Sequence, residues 1–324
     1  MNPLNAIRRL AAVLACAFAV GASAQGFPSK GLRIVVPFAP GGSTDIVARL
    51  VAERLSPALG QPVVVENRAG AGGNIGADAV AKSAPDGHTL LMATTGVMAI
   101  NNSLYKSMPY DAATDLVPVI YAASITNVLS VPVDLPAKSV SELVAMAKAQ
   151  PGRLSFASSG AGSSTHLSGE LFKSLAGLDL IHVPFKGSGQ ALIDVVAGRV
   201  NMIFDNMPSA LPHIKGGKLR ALGVTGSRRS GALPEAPTIA EAGIAGYESL
   251  SWSGIAVAAG TPREVVARLN REIGAVLARD EMRQKLAEQG AETVGGPPEA
   301  FDAHVRAERE KWGRLIRTAG ITVN

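Results

Sequence analysis

The sequence predicts an α/β protein of two lobes joined by two chain crossings. Three observations carry that expectation. Strand-like apolar runs alternate with helical periodicity, and the joints between them are short and rich in glycine. About 300 residues remain once a leader is set aside, long for one hydrophobic core when domains usually hold roughly 100 to 200. Strand-like runs near 120–130 and near 250 read as the places where the chain leaves one lobe and returns. The first lobe is then discontinuous, residues 25–123 and 251–324, with 124–250 inserted as the second lobe. Two connecting segments of this kind make a hinge that closes over a small ligand.

Arg8 and Arg9 precede the apolar run Leu10 to Val20, and Ala22-Ser23-Ala24 supplies the small residues of a cleavage site. Residues 1–24 therefore read as a secretory signal peptide, with the mature chain starting at Gln25 in the periplasm. A lipoprotein reading would use Cys16, but only Leu10 to Ala15 would precede it as an apolar core. Cys16 is the one cysteine and leaves with the leader, so neither a disulfide nor a thiol nucleophile is expected. Lys and Arg outnumber Asp and Glu 31 to 26, a net +5 that becomes +3 without Arg8 and Arg9. That mild balance, with 4% aromatics and no long basic run, argues against a nucleic-acid partner. Beyond the leader no apolar stretch is long enough to span a bilayer.

Arg33 to Val36 reads as a buried strand, Pro37-Phe38-Ala39-Pro40-Gly41-Gly42 as a tight crossing, and Ser43 to Leu55 as an amphipathic helix. Gly41 and Gly42 allow a ligand close to the backbone, so Gly42→Val is expected to block it. Ser43, Thr44 and Asp45 suit a first helical turn whose free N–H groups point outward and attract a carboxylate or phosphate. A capped turn with no ligand is the structural alternative. Pro62 to Glu66 reads as the second strand and Gly73 to Lys82 as the second helix. The glycines between them are spaced G-x-G-G-x-x-G, and the next strand, His88 to Ala93, ends in Thr94-Thr95 rather than an acidic residue; both facts argue against dinucleotide binding and for a turn with close helix-to-sheet packing. Thr94 and Thr95 stand at a strand's carboxyl end, where open α/β sheets place their ligand crevice.

Val117 to Ala123 and Val128 to Val133 read as strands separated by a crossing at Ser124-Ile125-Thr126-Asn127, and Ser139 to Ala149 as a helix with Ser139 as N-cap. Leu154 to His166 then repeats the opening layout: a strand, the small-residue turn Ser158-Ser159-Gly160-Ala161-Gly162, and a hydroxyl-rich helix start at Ser163-Ser164-Thr165. His166 falls in that first turn, where the helix dipole disfavours a cation, so it is expected neutral, as a hydrogen-bonding anchor. Leu180 to Pro184 is a strand leading through Phe185-Lys186-Gly187 to a helix at Ala191 to Ala197. Lys186 is the basic residue in that turn, either pairing with a distal anionic group or solvated. Asn201 to Asn206 and Leu219 to Thr225 are strands, Ser227 to Gly246 lacks periodicity, and Trp252 to Val257 is the return strand. After Thr261 as N-cap and Pro262, helices follow at Arg263 to Leu277, Glu281 to Gln289 and Pro297 to Ala319.

Four ordered motifs now stand out: Val36 to Asp45, Glu66 to Gly76, Ser158 to Leu167 and Val183 to Gly187. They closely resemble the Bug family, the extracytoplasmic solute receptors of tripartite tricarboxylate transporters, over essentially the whole mature chain. The resemblance implies a two-lobed periplasmic-binding-protein type II fold and a small carboxylate held by backbone N–H groups and hydroxyls. Carried over by position, it implies that Phe38, Ala39, Pro40, Gly41, Gly42, Ser43, Thr44 and Asp45 form one face of the site. Ser158, Ser159, Gly160, Ala161, Gly162, Ser163 and Ser164 form the other, with His166 behind it. Thr94 and Thr95 flank the site, while Phe185, Lys186, Gly187 and Asp205 face the variable end of the ligand. Asp205 either meets an ammonium group or caps Met207 to Ile214. The implied partners are a carboxylate and the membrane subunits of a transporter; the protein is expected to be a monomer with no cofactor and no metal. A sensory receptor docking on a membrane signalling protein is the alternative. An exported hydrolase is the other, against which stand the absence of a G-x-S-x-G elbow, of an H-E-x-x-H pair and of metal-ligand spacing among the five histidines.

Overall fold

The computed structural model describes residues 26–323, so the expected leader, its cleavage site and Cys16 lie outside the described residues. Strand β1 (Leu32–Val36) is apolar and β-branched, and four of its five residues are buried, as in a strand covered on both faces. It runs parallel to β2 (Val63–Asn67) on one side and β3 (Thr89–Thr94) on the other. Next to β3, β9 (Leu250–Ala258) is antiparallel, and β4 (Leu116–Pro132) is antiparallel to β9.

β4 joins the two lobes. From Leu116 to Thr126 it pairs with β9, and beyond Asn127 it pairs with β7 (Met202–Asn206) and β8 (Leu219–Val224). Strands β5 (Ser155–Ser158) and β6 (Ile181–Pro184) extend the second sheet in parallel with β7. The sequence reading split β4 at Ser124–Asn127, but the chain passes between the sheets there as one 17-residue strand. The polar residues that suggested a loop are held by long-range partners: the Thr126 amide donates to the Gly290 carbonyl, the Asn127 amide to Thr225 Oγ1, and Asn127 Nδ2 to Ser168 Oγ.

The helices are α1 (Ser43–Leu59), α2 (Asn74–Ala81), α3 (Asn101–Leu104), α4 (Val140–Ala149), α5 (Ser164–Ala176), α6 (Ser188–Val196), α7 (Met207–Lys215), α8 (Arg263–Leu277), α9 (Asp280–Ala287) and α10 (Pro298–Ala319). Helix α8 spans the residues its periodicity gives, because Val265, Val266, Leu269, Ile273, Val276 and Leu277 recur every three or four positions and are all buried. They pack with α1 and α9 on one face of the first sheet, while Trp312 and Phe301 of α10 pack on the other. The second lobe builds its core around Phe156, Phe172, Phe204 and Tyr247.

Four expectations are corrected. Thr261 does not cap α8: its hydroxyl donates to the Ala258 carbonyl, and Pro262 occupies the cap position. Helix α6 begins at Ser188, three residues before Ala191, because Gly187 and not Gly189 ends the turn. A strand not expected from the sequence, β10 (Ala291–Thr293), follows α9 and pairs with β4. A π-helical turn, Gly96–Ile100, follows β3 and leads into α3. At α4, Ser139 Oγ accepts from the Glu142 amide at 3.1 Å, the N-cap the sequence gives.

Candidate functional site

The strands that end at the gap between the sheets place four short loops around one cleft. Phe38, Gly42, Ser43 and Thr44 enter from the β1–α1 loop, Thr94 from the end of β3, and Ser159, Ser163 and Ser164 from the β5–α5 loop. Ser188 at the start of α6, Asn206 at the end of β7, and Ile125, Ser251 and Trp252 from the crossing strands complete the lining. A concave cleft at the junction of two sheets, lined by a few convergent hydroxyls, is a usual place for a small organic ligand.

Helix α1 starts at N-cap Gly42, which has no side chain to cap the first-turn N–H groups, and Gly42, Ser43 and Thr44 at that start line the cleft. Gly41 makes the turn possible: its φ is +83°, a conformation that costs an L-residue roughly 1–2 kcal/mol. Gly42 has an ordinary φ of −84°, and a Cβ there would meet Ser188 Cβ at 3.6 Å, a normal contact. The conformational requirement for glycine in this loop therefore falls on Gly41, whereas Gly42 lines the cleft with ordinary backbone angles.

Asp45, expected among the ligand groups, lies outside the cleft lining and braces the loop. Its carboxylate accepts from the Gly41 amide at 3.1 Å, from Arg49 Nε at 3.0 Å and from Asn67 Nδ2 at 2.9 Å. Burial pushes its carboxyl up, but those donors outweigh burial and hold it below the usual range. Ala39 and Pro40 also stand outside the lining. The Ala39 amide donates to the Lys186 carbonyl at 3.1 Å, and Gly187 packs against Ala39, so these residues join one lobe to the other. Thr95 is spent on the protein as well, accepting from the Trp252 amide at 3.1 Å.

The second loop is held from behind by two stacked imidazoles. His166 Nδ1 accepts from the Gly162 amide at 3.2 Å, and its ring lies 3.9 Å from that of His182, whose Nε2 pairs with Ser158 Oγ at 2.6 Å. Burial, with His182 and Lys173 nearby, lowers His166 to about 2, and burial with Lys173 lowers His182 to about 4. His166 is therefore neutral, as expected from its place in the first turn, and both Ser158 and Gly162 serve the loop's shape rather than lining the cleft.

Gly160 and Ala161 face a second pocket of about 520 Å³ that shares Phe38 and Ser159 with the cleft and also holds Phe185 and Lys186. Asp205 reaches neither space directly. It is fully buried, accepting from Ser188 Oγ and Ser209 Oγ at 2.5 Å each. Burial raises its carboxyl to about 6, with the two hydroxyls and the Asn206 amide offsetting only part of that cost.

Two hydroxyls stand apart from this network. Ser43 Oγ and Thr94 Oγ1 are buried, line the cleft, and have no hydrogen-bond partner. An unsatisfied buried hydroxyl costs roughly 1–3 kcal/mol. Elsewhere in the cleft hydroxyls are paired: Ser251 Oγ donates to Asn127 Oδ1 at 3.0 Å and lies 2.5 Å from Ser164 Oγ, and Ser163 Oγ donates to the Gly160 carbonyl at 2.6 Å.

Sequence reasoning did not single out Ile125, Ser188, Asn206, Ser251 or Trp252. Ser188 carried a usable signal, since Gly187-Ser188-Gly189 repeats the glycine–hydroxyl helix start of the two loops that were found. The others reach the cleft through sheet pairing between distant segments, such as Ile125 with Ser251. Among the described residues there is no cluster of three or more His, Cys, Asp or Glu placed to hold a metal, and no helix long and apolar enough to cross a membrane.

Comparison with known proteins agrees with this geometry. Residues 47–321 match the family described as tripartite tricarboxylate transporter family receptor. The chain is 40% identical to protein BugT of Bordetella pertussis over 299 residues, 92% of each chain. Among solved structures it resembles R. palustris Rpa4515 with adipate, at 44% identity and a TM-score of 0.89 over 91% of this chain and 99% of that one. It also resembles MatC from Rhodopseudomonas palustris with bound malate, at 33% identity and a TM-score of 0.86 over 90% of this chain and all of that one. It resembles the periplasmic binding protein BugD as well, at 34% identity and a TM-score of 0.88 over 91% of this chain and 99% of that one. A cleft built from uncapped helix starts and small hydroxyls, on a chain matched to that family along most of its length, places this protein in the tripartite tricarboxylate transporter receptor family, among the Bug proteins.

Proposed function

We propose that the protein captures a small carboxylate between its lobes in the periplasm and delivers it to the membrane subunits of a tripartite tricarboxylate-type transporter. In this reading residues 1–24 are the export signal, residues 25–123 and 251–324 form one lobe, 124–250 form the other, and the monomer closes about β4 and β9. It binds and releases its cargo without breaking bonds. Support for the class of cargo comes from the relatives solved with adipate and malate.

The observation that carries the reading is the unpartnered pair Ser43 Oγ and Thr94 Oγ1 beside the open start of α1. A carboxylate set there gains hydrogen bonds from first-turn amides and from both hydroxyls. Such charge-assisted bonds are worth roughly 1.5–3 kcal/mol each, with no cation that must itself be stripped of water. The helix dipole acts in the same sense.

Thermal shift over a panel of mono- and dicarboxylates is the test, since a ligand that binds only the folded chain raises its melting point as concentration exceeds Kd. At least one acid is expected to raise the midpoint by several degrees. Ser43→Ala and Thr94→Ala are each expected to weaken that acid by about tenfold or more by calorimetry, the loss of a charge-assisted bond worth at least about 1.5 kcal/mol. Ser43→Ala should not lower the midpoint of the unliganded protein, because it deletes a polar atom that has no partner, whereas Thr94→Ala also removes a buried methyl and should lower it slightly. A panel that leaves the midpoint unmoved at millimolar concentration, or a double variant that binds as tightly as the native chain, rejects the reading.

A further inference from the structure

Four helix starts meet at the cleft, those of α1, α5, α6 and, through its N-cap Asn206, α7, and they are not equivalent. The starts of α1 and α5 have no acidic side chain facing the cleft: Asp45 is turned into its own loop, and the first turn of α5 carries no acid. At the third, α6, Ser188 lines the cleft while its hydroxyl is bonded to the fully buried Asp205. Among the described residues Asp205 makes no ion pair; its neighbours are the hydroxyls of Ser188 and Ser209 and the Asn206 amide. Its charge already counters the partial positive charge at this helix start, so the α6 corner is the one least suited to a second carboxylate.

The bond also settles the direction of the Ser188 hydroxyl. An ionised carboxylate only accepts hydrogen bonds, so Ser188 spends its single proton on Asp205 and keeps only lone pairs for a ligand. Ser43 and Thr94, with no partner, keep both donor and acceptor capacity. The side chains of the cleft are thus polarised, with free hydroxyls at Ser43 and Thr94 and an acceptor hydroxyl backed by negative charge at the start of α6. The two corners are close together, since a Cβ on Gly42 would lie only 3.6 Å from Ser188 Cβ.

We propose that Asp205 is a positioning residue that holds Ser188 as a hydrogen-bond acceptor, so that the cleft selects carboxylates bearing a hydroxyl or ammonium donor next to the acid group over the plain acids. This rests on the carboxylate reading above and narrows it. Asp205 then acts on the ligand through Ser188 and not by touching it.

The test uses matched trios that differ only in hydrogen, hydroxyl or ammonium at carbon 2: propionate, lactate and alanine; succinate, malate and aspartate; adipate, 2-hydroxyadipate and 2-aminoadipate. In whichever skeleton binds, calorimetry should show a donor-bearing member at least tenfold tighter than the plain acid. Asp205→Asn, whose amide can donate to Ser188 and free its proton, should reduce that ratio below threefold. Ser188→Ala, which leaves Asp205 its bonds to Ser209 and Asn206, should do the same and covers the case in which Asp205→Asn does not fold. A merely structural role would shift all three members together and leave the ratio intact. Equal or tighter binding of the plain acid, or a preference that survives both substitutions, overturns this inference alone. No binding by any member of any trio overturns the carboxylate reading and this inference with it.

Discussion

Gly72→Val is expected to weaken carboxylate binding at least a hundredfold while the unliganded protein stays folded. Gly72 lies in the β2–α2 turn with φ +63°, and a Cβ there would sit 2.2 Å from the Ala161 carbonyl oxygen and 2.6 Å from Tyr105 Oη. Ala161 belongs to the β5–α5 loop of the other lobe, so the first clash exists only while the lobes are together. Backbone oxygen cannot move aside as a flexible side chain would, and relief requires the lobes to part by about an ångström at this edge. Parting breaks the bond from Tyr105 Oη to the Ala161 carbonyl at 2.8 Å, and strains that from the Ala39 amide to Lys186. It also admits water to the cleft and pulls the two loops off opposite sides of the ligand. Two or three hydrogen bonds at roughly 1 kcal/mol each, added to that loss of enclosure, reach the 2.8 kcal/mol that corresponds to a factor of a hundred. The left-handed φ adds a local cost of roughly 1–2 kcal/mol, which should lower the midpoint by only a few degrees. Calorimetry gives the affinity, and X-ray scattering with saturating ligand should show a larger radius of gyration than the native complex. Gly60→Val is the control, since it carries the same left-handed strain at φ +66° with nothing within 4 Å of its Cβ and should leave the affinity unchanged. Native affinity in the Gly72 variant would show that lobe closure is not what holds the ligand.

That prediction could not be written from the sequence, and the reason is physical. The glycine run from Gly70 to Gly76 was legible as a turn with close helix-to-sheet packing, because both are local: a Cβ on Gly76 would lie 2.8 Å from Pro37 Cα at the end of the neighbouring strand. Which of those glycines meets the opposite lobe depends on a contact 89 residues away, and no periodicity records it. The same divide runs through the site. The α1 and α5 starts follow from glycine, hydroxyl and apolar spacing within a dozen residues. Asn127, Asn206 and Ser251 become one hydrogen-bonded group only because β4, β7 and β9 are threaded side by side. Asp205 shows what burial adds: the sequence left open whether it meets a ligand ammonium or caps a helix, whereas full burial behind Ser188 gives it a third place, one step removed from the cleft.

Acid is expected to destabilise the protein from about pH 6.5 downward, and His166 and His182 carry most of the effect. Both are buried and neutral in the folded chain, lowered to about 2 and about 4 from an ordinary value of 6.5. Between pH 6.5 and 4 the unfolded chain therefore binds two protons at these positions that the folded chain refuses. Stability changes with pH in proportion to protons bound unfolded minus folded, so each histidine removes up to about 1.4 kcal/mol per pH unit as pH falls. Asp205 works the other way. Its folded value of about 6 exceeds the ordinary 3.8, so within that window the folded chain binds the extra proton and gains stability as pH falls. The carboxyl offsets roughly one histidine between pH 6 and 4, leaving a net loss near 1.4 kcal/mol per unit. Below about 4 the His182 and Asp205 contributions level off, while His166, joined by carboxylates such as Asp45 that the folded chain holds below their ordinary value, continues the decline toward pH 2. Denaturant titrations at half-unit steps measure these slopes. His166→Gln should flatten the acid limb across its whole range at some cost in stability at pH 7, where the bond from the Gly162 amide is lost or weakened. Asp205→Asn should steepen the limb between pH 6 and 4 while raising stability at neutral pH, where the native chain must bury a charge. Two substitutions about 40 residues apart in sequence thus bend one curve in opposite directions. Parallel curves for native protein and both variants would mean that neither the neutral imidazole stack nor the buried carboxylate is linked to folding.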